Sequence, residues 1–296
     1  MRSFHGYIAI DWSGADGRYA GISMALCTPG RGAPRLIAPE AALWTRTAVA
    51  DWLDRELKSG RPLLIGCDFA FGLPFERHGY LAGAAPELGG IFDLWELIEE
   101  ASAGAADFGC ARVFADPRFA PLYWQSGRQP AAWTLRQRRA EVACARATGT
   151  HPECVFKLIG PKQVGKASLT GIRVLRHVRS ENRARVAVWP FEPVGSKSVL
   201  VEIYPTLFRK QAAGGLVKLR TAEALNAALR KLGARGVPAA TLSDHDTDAL
   251  ISAAGLRHLI EHAGVTLSLP ADPHIRREGW IFGVPLQQGA ALAGAA

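Results

Sequence analysis

The sequence predicts a mixed α/β fold, and two patterns support that prediction. Short apolar runs of strand length occur near both ends of the chain, for example at 6–11 and 198–205, and amphipathic helical patterns lie between them. The first runs are joined by short segments rich in turn-forming residues, which is typical of antiparallel strands. Strands and helices mixed in this order form a sheet that is flanked by helices.

The N-terminal part of the predicted sheet comes from four strands. Residues 6–11 alternate between two faces, and residues 19–27 form a second strand after the turn-like segment WSGADG. RLIAPE is a short third strand. The helical pattern RTAVADWLDRELKSG then precedes the apolar run LLIGCD, which we interpret as a buried strand.

The pattern changes to helices and irregular segments between about 75 and 185. GIFDLWELIEEASAG and AWTLRQRRAEVACARATG are typical of helices, and a Gly/Lys loop with a following helix comes after them. We interpret this region as an insertion or lid on a single domain of residues 1–290, and 291–296 as a frayed tail. Strands are expected again at 185–192 and 198–205, helices at about 219–233 and 244–262, and a possible last strand at EGWIFGVP.

The composition excludes some classes of protein and leaves others open. The net charge is +8, which permits nucleic acid or a nucleotide as a partner, although a merely basic surface explains it equally well. No segment has the apolar length of a membrane span and the N-terminus lacks the apolar core of a signal peptide, so the cytoplasm is the expected location. The five cysteines show no zinc-binding spacing and are expected to be reduced and buried.

Four acidic residues within or at the ends of apolar runs are the candidates for a functional site. Asp11 and Asp68 each end a strand, Glu202 lies inside the run VLVEIY, and Asp248 lies in a helical pattern. A buried carboxylate is costly unless it is paired, hydrogen-bonded or bound to a metal ion. Carboxylates that converge on one point usually bind a divalent cation, so convergence of these four predicts a metal-dependent enzyme.

Three of these carboxylates also have a purely structural interpretation. Asp11 and Asp68 are suited to forming the turns that follow them. Glu202 could face solvent on an edge strand, beside Lys197 or Arg209.

The helix that carries Asp248 has its own start signal. Ser243 and Asp246 form a capping box, which accounts for the acids of the first turn but not for Asp248. His245 and Asp248 share a face because they are three residues apart. Small residues, Ser252 and Gly255, continue that face and would let the helix pack close to the sheet.

The combined motifs resemble the proteins called domain of unknown function 429, a family of predicted nucleases with an RNase H-like fold. The similar stretches include YIAIDWSG, IGCDFAFGLP, VEIYPTLF, DTDALISAA and EGWIFGVP, so the resemblance covers almost the whole chain. It implies a central mixed sheet with its first three strands antiparallel. It also implies an acidic site at Asp11, Asp68, Glu202 and Asp248.

The last helix is also similar to that of RuvC-like Holliday-junction resolvases, which have His or Asp three residues before the final catalytic Asp. His245 and Asp248 match this spacing. Resolvases have Glu where this chain has Asp68, and they lack the long insertion. The resemblance implies two Mg²⁺ or Mn²⁺ ions held by the four acids, with His245 as a further ligand, base or proton shuttle.

A second candidate is the segment GPKQVGKASLTG at 160–171, with Lys162, Lys166 and Ser168. Its glycines and lysines suit contact with a substrate phosphate, although it does not match the phosphate loop GxxxxGK[ST]. A flexible basic surface loop is the structural alternative. Arg136, Arg138, Arg139 and Arg146 would add a basic wall if their helix faced the site rather than solvent.

Three functions from different classes follow from these observations. The first is a metal-dependent nuclease that hydrolyses phosphodiester bonds. The second is a phosphotransferase or ATPase of the sugar-kinase and actin-like branch of the same fold, although the sequence shows only a loose version of its glycine-rich hairpins. The third is a non-catalytic member of the fold that binds a nucleotide or a protein.

Overall fold

The computed structural model describes residues 3–16, 21–81, 88–130, 133–159, 163–215, 218–238 and 241–286. Its strands are β1 (Gly6–Asp11), β2 (Ser23–Cys27), β3 (Arg35–Ile37), β4 (Leu63–Cys67), β5 (Val186–Val188) and β6 (Ser198–Glu202). They form one sheet in the order β3-β2-β1-β4-β6-β5. The first three strands are antiparallel to one another, whereas β1, β4, β6 and β5 are parallel.

Helices cover both faces of this sheet. On one face lie α1 (Arg46–Lys58), α2 (Ile91–Ala101) and α4 (Val164–Glu181), and on the other α5 (Pro205–Ala213), α6 (Ala222–Lys231) and α7 (Asp244–Glu261). The remaining helices, α3 (Arg139–Thr148) and α8 (Ile275–Glu278), pack against each other. The predicted mixed α/β fold, with its first three strands antiparallel, is thereby confirmed.

Alternation along the strands produces two hydrophobic cores. Ile8 and Ile10 of β1 lie in the core beneath α1, α2 and α4, whereas Tyr7 and Ala9 lie in the core beneath α7. All six residues of β1 are buried. The central parallel strands are apolar on both sides because helices exclude water from both faces of the sheet.

Several sequence-based element assignments need correction. EGWIFGVP is not a strand, since only Ile281 makes an isolated bridge, to Glu202. The helix Pro205–Ala213 was not expected, although Pro at its first position is a recognised start signal. Residues 164–171 belong to the first turns of α4 and are not a loop. Gly160 to Lys162 and the tail at 291–296 lie outside the described residues.

The region between β4 and β5 contains α2, α3 and α4, joined by short 3₁₀ turns at Ala106–Phe108, Ala111–Ala115 and Ala120–Leu122. All five cysteines are free and buried, as predicted. Within the described part of the chain, no helix combines the length and the apolar character that crossing a membrane requires.

Candidate active site

Asp11 and Asp68 lie side by side at the carboxyl edge of the sheet. β1 and β4 are neighbouring parallel strands in which Ile10 is opposite Cys67, so the next residue on each strand is an aspartate. The amide N–H of Asp68 donates to the carbonyl of Ile10 at 2.9 Å, which extends the pairing past the end of β4. The edge formed by such strand ends is where open α/β sheets bind their ligands.

The first turns of α7 bring two more predicted residues to this edge. Ser243 caps the helix, with its hydroxyl accepting from the amide of Asp246 at 3.1 Å, so the predicted capping box is confirmed. Nδ1 of His245 lies 2.8 Å from Oδ1 of Asp11. Asp248, one turn further along, is buried. At Gly255 the close approach is to α5, since a Cβ there would lie 2.2 Å from Cδ1 of Phe208.

Burial and neighbouring carboxylates raise the pKa values of Asp11 and Asp68. Burial raises the pKa of Asp11 to about 6, with the charge of Asp248 adding to the effect and the His245 hydrogen bond opposing it. Burial, followed by the charges of Asp11 and Asp248, raises the pKa of Asp68 well above its usual value. The hydrogen bond that His245 makes to the Asp11 carboxylate raises the pKa of His245. Like charges concentrated in this way are typical of functional sites.

Glu202 has different surroundings, although it ends the neighbouring strand β6. Its register partner is Cys67 rather than Asp68, and successive residues of a strand point to opposite faces, which directs Glu202 away from the aspartates. Oε1 accepts from Nη2 of Arg138 at 2.5 Å, and Oε2 accepts from Nη1 at 2.8 Å. The amide of Phe71 also donates to Oε2, at 3.0 Å.

Arg138 lines the cavity but is buried and ion-paired, so it lies neither on a solvated helix face nor in a wall of unpaired basic side chains. Its side chain is 1% exposed. Besides Glu202, it binds Glu141 through Nε at 2.8 Å and donates to the carbonyl of Glu278 at 3.0 Å. It therefore ties the start of α3 to β6 and to the end of α8. This bidentate pairing occupies both oxygens of Glu202. The alternative in which Glu202 faces solvent on an edge strand is therefore wrong.

Asp248 is also paired with cations. Nη1 of Arg209 donates to its Oδ1, and Nζ of Lys218 donates to its Oδ2. Arg209 is buried and its Nη2 donates to the hydroxyl of Thr206 at 2.7 Å, whereas the Lys218 side chain is 37% exposed. A divalent cation at Asp248 would have to share the carboxylate with these two cations or displace one of them.

A cavity of about 1020 Å³ opens beside these residues. Its described lining contains more acidic than basic side chains: Asp16, Asp68, Glu141, Glu153, Glu202 and Asp248 against Arg138, Lys166, Arg209 and Lys218. Each of the four cations is ion-paired with one of these acids. Among the described residues, no hydrogen-bond donor or cation contacts the carboxylate of Asp68 at the cavity wall. The charges of Lys218 and Arg209 lower its pKa, but burial and the charges of Asp11 and Asp248 raise it by more.

The predicted substrate-contacting segment is divided between the cavity and the core. Lys166 lines the cavity, and its Nζ lies 3.5 Å from Oδ2 of Asp16. Ser168 is fully buried, with its hydroxyl donating to the carbonyl of Val164 at 2.9 Å and accepting from the amide of Ala70 at 3.2 Å. Lys162 lies outside the described residues. Substrate contact by Lys166 and Ser168 stays a prediction, and the burial of Ser168 does not favour it.

The first turn of α4 is held against the loop that follows β1. A side chain at Gly14 would place its Cβ 2.2 Å from the amide nitrogen of Ala167, so only glycine fits at this contact. The contact positions Lys166 and the start of α4 at the cavity, near the end of β1. Amide groups at such a helix start favour anions.

Sequence analysis missed Arg209 and Lys218 as site residues and misjudged Arg138. Arg138 and Glu141 are three residues apart, which is a recognisable helix-start pairing, but their link to Glu202 spans 64 residues. Lys218 lies in a segment without a clear helical or strand pattern. Nothing in the local sequence indicates that its ammonium group reaches Asp248.

No three His, Cys, Asp or Glu side chains of the described residues converge closely enough to form a ready metal-binding group. The four predicted acids are therefore not one cluster. Asp11, Asp68 and Asp248 are electrostatically coupled, while Glu202 is bound to Arg138. Comparisons with protein-family models, curated proteins and solved structures found no match for this chain.

Proposed function

We propose that this protein is a metal-dependent nuclease that hydrolyses phosphodiester bonds with Mg²⁺ or Mn²⁺. One observation carries the proposal: the half-buried carboxylate of Asp68 has no hydrogen-bond or ion-pair partner among the described residues, although burial, Asp11 and Asp248 together raise its pKa. Burying like charges together is unfavourable unless a cation neutralises them. Functional sites are where proteins retain such arrangements.

The donor set of this site fits a hard divalent cation. Mg²⁺ is usually bound by one or two carboxylates, several waters and the phosphates of its substrate. Asp11 and Asp68 are two carboxylates on adjacent strand ends, and Asp68 lines a wide cavity. When bound, the ion would supply Lewis-acid activation of the phosphodiester and of water.

The excess of acidic side chains in the cavity lining also favours a metal. An anionic phosphodiester would be repelled by the unpaired charge of Asp68, so substrate binding requires a bound cation or protonated carboxylates. The raised pKa values of Asp11 and Asp68 favour protonation of these carboxylates in the metal-free chain. A divalent cation would displace those protons and reverse the sign of the local charge.

Residues of this chain would have distinct roles in the reaction. Asp11 and Asp68 would bind the ion, and His245 would hold a proton at Nδ1 and orient the Asp11 carboxylate through their hydrogen bond. Lys166 and the first amide groups of α4 would bind a substrate phosphate further along the cavity. Glu202 would have a positioning role, since it accepts a hydrogen bond from the amide of Phe71 and so holds the segment that follows Asp68.

A cleavage panel tests this proposal. Single-stranded, duplex, hybrid and branched nucleic acids are incubated with the full chain in Mg²⁺ or Mn²⁺. Asp68→Asn should reduce cleavage by about 100-fold or more, since each tenfold corresponds to ~1.4 kcal/mol of lost transition-state stabilisation. Glu153→Gln is the matched control, because Glu153 lines the same cavity but pairs with Lys157.

The outcome separates this proposal from the competing functions. Cleavage that persists in Asp68→Asn would contradict the proposed site. ATP turnover without cleavage of any polymer would favour a phosphotransferase or ATPase. Nucleotide binding with neither reaction would favour the non-catalytic interpretation.

A further inference from the structure

We propose that Lys218 supplies the positive charge that a second divalent cation supplies in two-metal sites, so that this chain binds a single ion, at Asp11 and Asp68. The inference rests on the proposed function and specifies its metal content. It departs from the two-ion arrangement that the family resemblance implies.

Contacts at Asp248 are the first step of the argument. Both of its carboxylate oxygens are occupied, Oδ1 by Arg209 and Oδ2 by Lys218. An ion at Asp248 would compete with two cations that the fold already provides. Asp68, in contrast, has no such partner among the described residues, and Asp11 is bonded only to His245 there.

The two cations at Asp248 are not equivalent. Arg209 is buried and held by Thr206, so it is part of the scaffold. Its Nε is buried and has no hydrogen-bond partner among the described residues, so this group does not face the cavity. Lys218 is partly exposed on a flexible side chain, and its compact ammonium group resembles a metal ion as a point charge more closely than a guanidinium does.

Charge balance favours one ion over two. With His245 neutral, three carboxylates and the two cations at Asp248 leave one uncompensated negative charge. A single divalent ion changes the net charge to one positive, which one phosphodiester neutralises. A second divalent ion would raise the net charge of the substrate-free site to three positive, beside Lys218 and Arg209, which is unfavourable in a partly buried site. Without Lys218, two ions leave one positive charge fewer, and one oxygen of Asp248 is free to bind the second ion.

Manganese stoichiometry tests the inference independently of catalysis. The full chain is titrated with Mn²⁺, and free Mn²⁺ is followed by electron paramagnetic resonance. The wild type should bind one ion per chain, and Asp68→Asn should lose it. Lys218→Gln should bind two ions, because one oxygen of Asp248 becomes free. Lys218→Arg should bind one, because the positive charge is retained.

A variant at an exposed helix end is the control for the effect of losing a lysine. Lys231→Gln, at an exposed position at the end of α6, should bind one ion like the wild type. Two ions in the wild type, none, or no second ion in Lys218→Gln would overturn the inference. Circular dichroism shows whether each variant is folded.

The same variants separate this inference from the proposed function. Nucleic-acid cleavage by a wild type that binds two ions would overturn the single-ion inference and leave the nuclease proposal intact. One bound ion without cleavage of any nucleic acid would overturn the nuclease proposal and leave the single-ion inference intact. If both hold, the dependence of cleavage on Mn²⁺ should have a Hill coefficient near one in the wild type and near two in Lys218→Gln.

Discussion

Glu202 and Asp68 end neighbouring strands of the same sheet, yet their electrostatic surroundings are opposite. Glu202 is bound on both oxygens by Arg138 and also accepts from the Phe71 amide. Asp68 has no hydrogen-bond or ion-pair partner among the described residues, and burial, followed by the charges of Asp11 and Asp248, raises its pKa. The difference separates two uses of a buried acid, since a compensated charge stabilises the fold and an uncompensated one creates a binding site.

The largest effect that this comparison predicts is on stability, at Arg138. Arg138→Met should lower the free energy of unfolding by about 3–5 kcal/mol, because Glu202 and Glu141 would remain buried without their cation. Denaturant-induced unfolding measures the change. Arg139→Met is the control: the pair between Arg139 and Asp272 is about one-third exposed, and its loss should cost less than about 1 kcal/mol.

A small loss of stability in Arg138→Met would contradict the proposed difference between Glu202 and Asp68. It would mean that Glu202 is not held in place by this pair and is available to bind a metal ion. The double variant Arg138→Met, Glu202→Gln sharpens the test, because it removes the main buried negative charge and should recover part of the lost stability.

The next effect is the pH dependence of stability at Asp11. Its pKa is about 6 in the folded chain and 3.8 ordinarily, so the folded state binds the proton more tightly. Stability contributed by protonated Asp11 is complete below pH 3.8 and is lost as the pH rises through 6. Unfolding free energies of the wild type and Asp11→Asn, compared from pH 4 to 7, should diverge by about 2–3 kcal/mol in favour of the variant.

Mn²⁺ should reverse this trend in the wild type. An ion that binds the ionised carboxylates stabilises the folded state in proportion to its concentration relative to the dissociation constant. The melting temperature of Asp11→Asn should respond much less to Mn²⁺. If the free energy of unfolding changed equally with pH in the wild type and in Asp11→Asn, Asp11 would have its ordinary pKa. Asp11 would then not interact electrostatically with Asp68 and Asp248.

Sequence analysis located the acids better than it assigned their roles. Asp11 and Asp68 follow apolar runs, and such runs identify buried strands whose ends share one edge of a sheet. The partner of Glu202 could not be found in this way, because Arg138 is 64 residues distant and its local pattern is that of an exposed helix. The periodicity of apolar residues in a sequence indicates which side chains are buried. An ion pair between distant segments depends on how those segments pack, which this periodicity does not indicate.

A smaller effect, of opposite sign to that at Arg138, is expected at Asp68. Asp68→Asn should raise the free energy of unfolding at pH 7 by about 0.5–2 kcal/mol in the absence of metal, since it removes a charge repelled by Asp11 and Asp248. Glu153→Gln should leave stability nearly unchanged because its pair with Lys157 is partly exposed. Destabilisation by Asp68→Asn would indicate a structural role like that of Glu202.

The smallest predicted change in stability separates two roles of residues in α4, since Ser168 would stabilise the fold and Lys166 would contact substrate. Ser168→Ala should lower the free energy of unfolding by about 1 kcal/mol, because the buried amide of Ala70 loses its acceptor. Lys166→Gln should leave stability nearly unchanged, as its pair with Asp16 is long and partly exposed, but should weaken binding of a nucleic acid measured by fluorescence anisotropy. The opposite result, with Ser168→Ala weakening binding at unchanged stability, would place the Ser168 hydroxyl in the site. It would also mean that α4 turns relative to the segment after β4 when substrate binds, since this hydroxyl is fully buried.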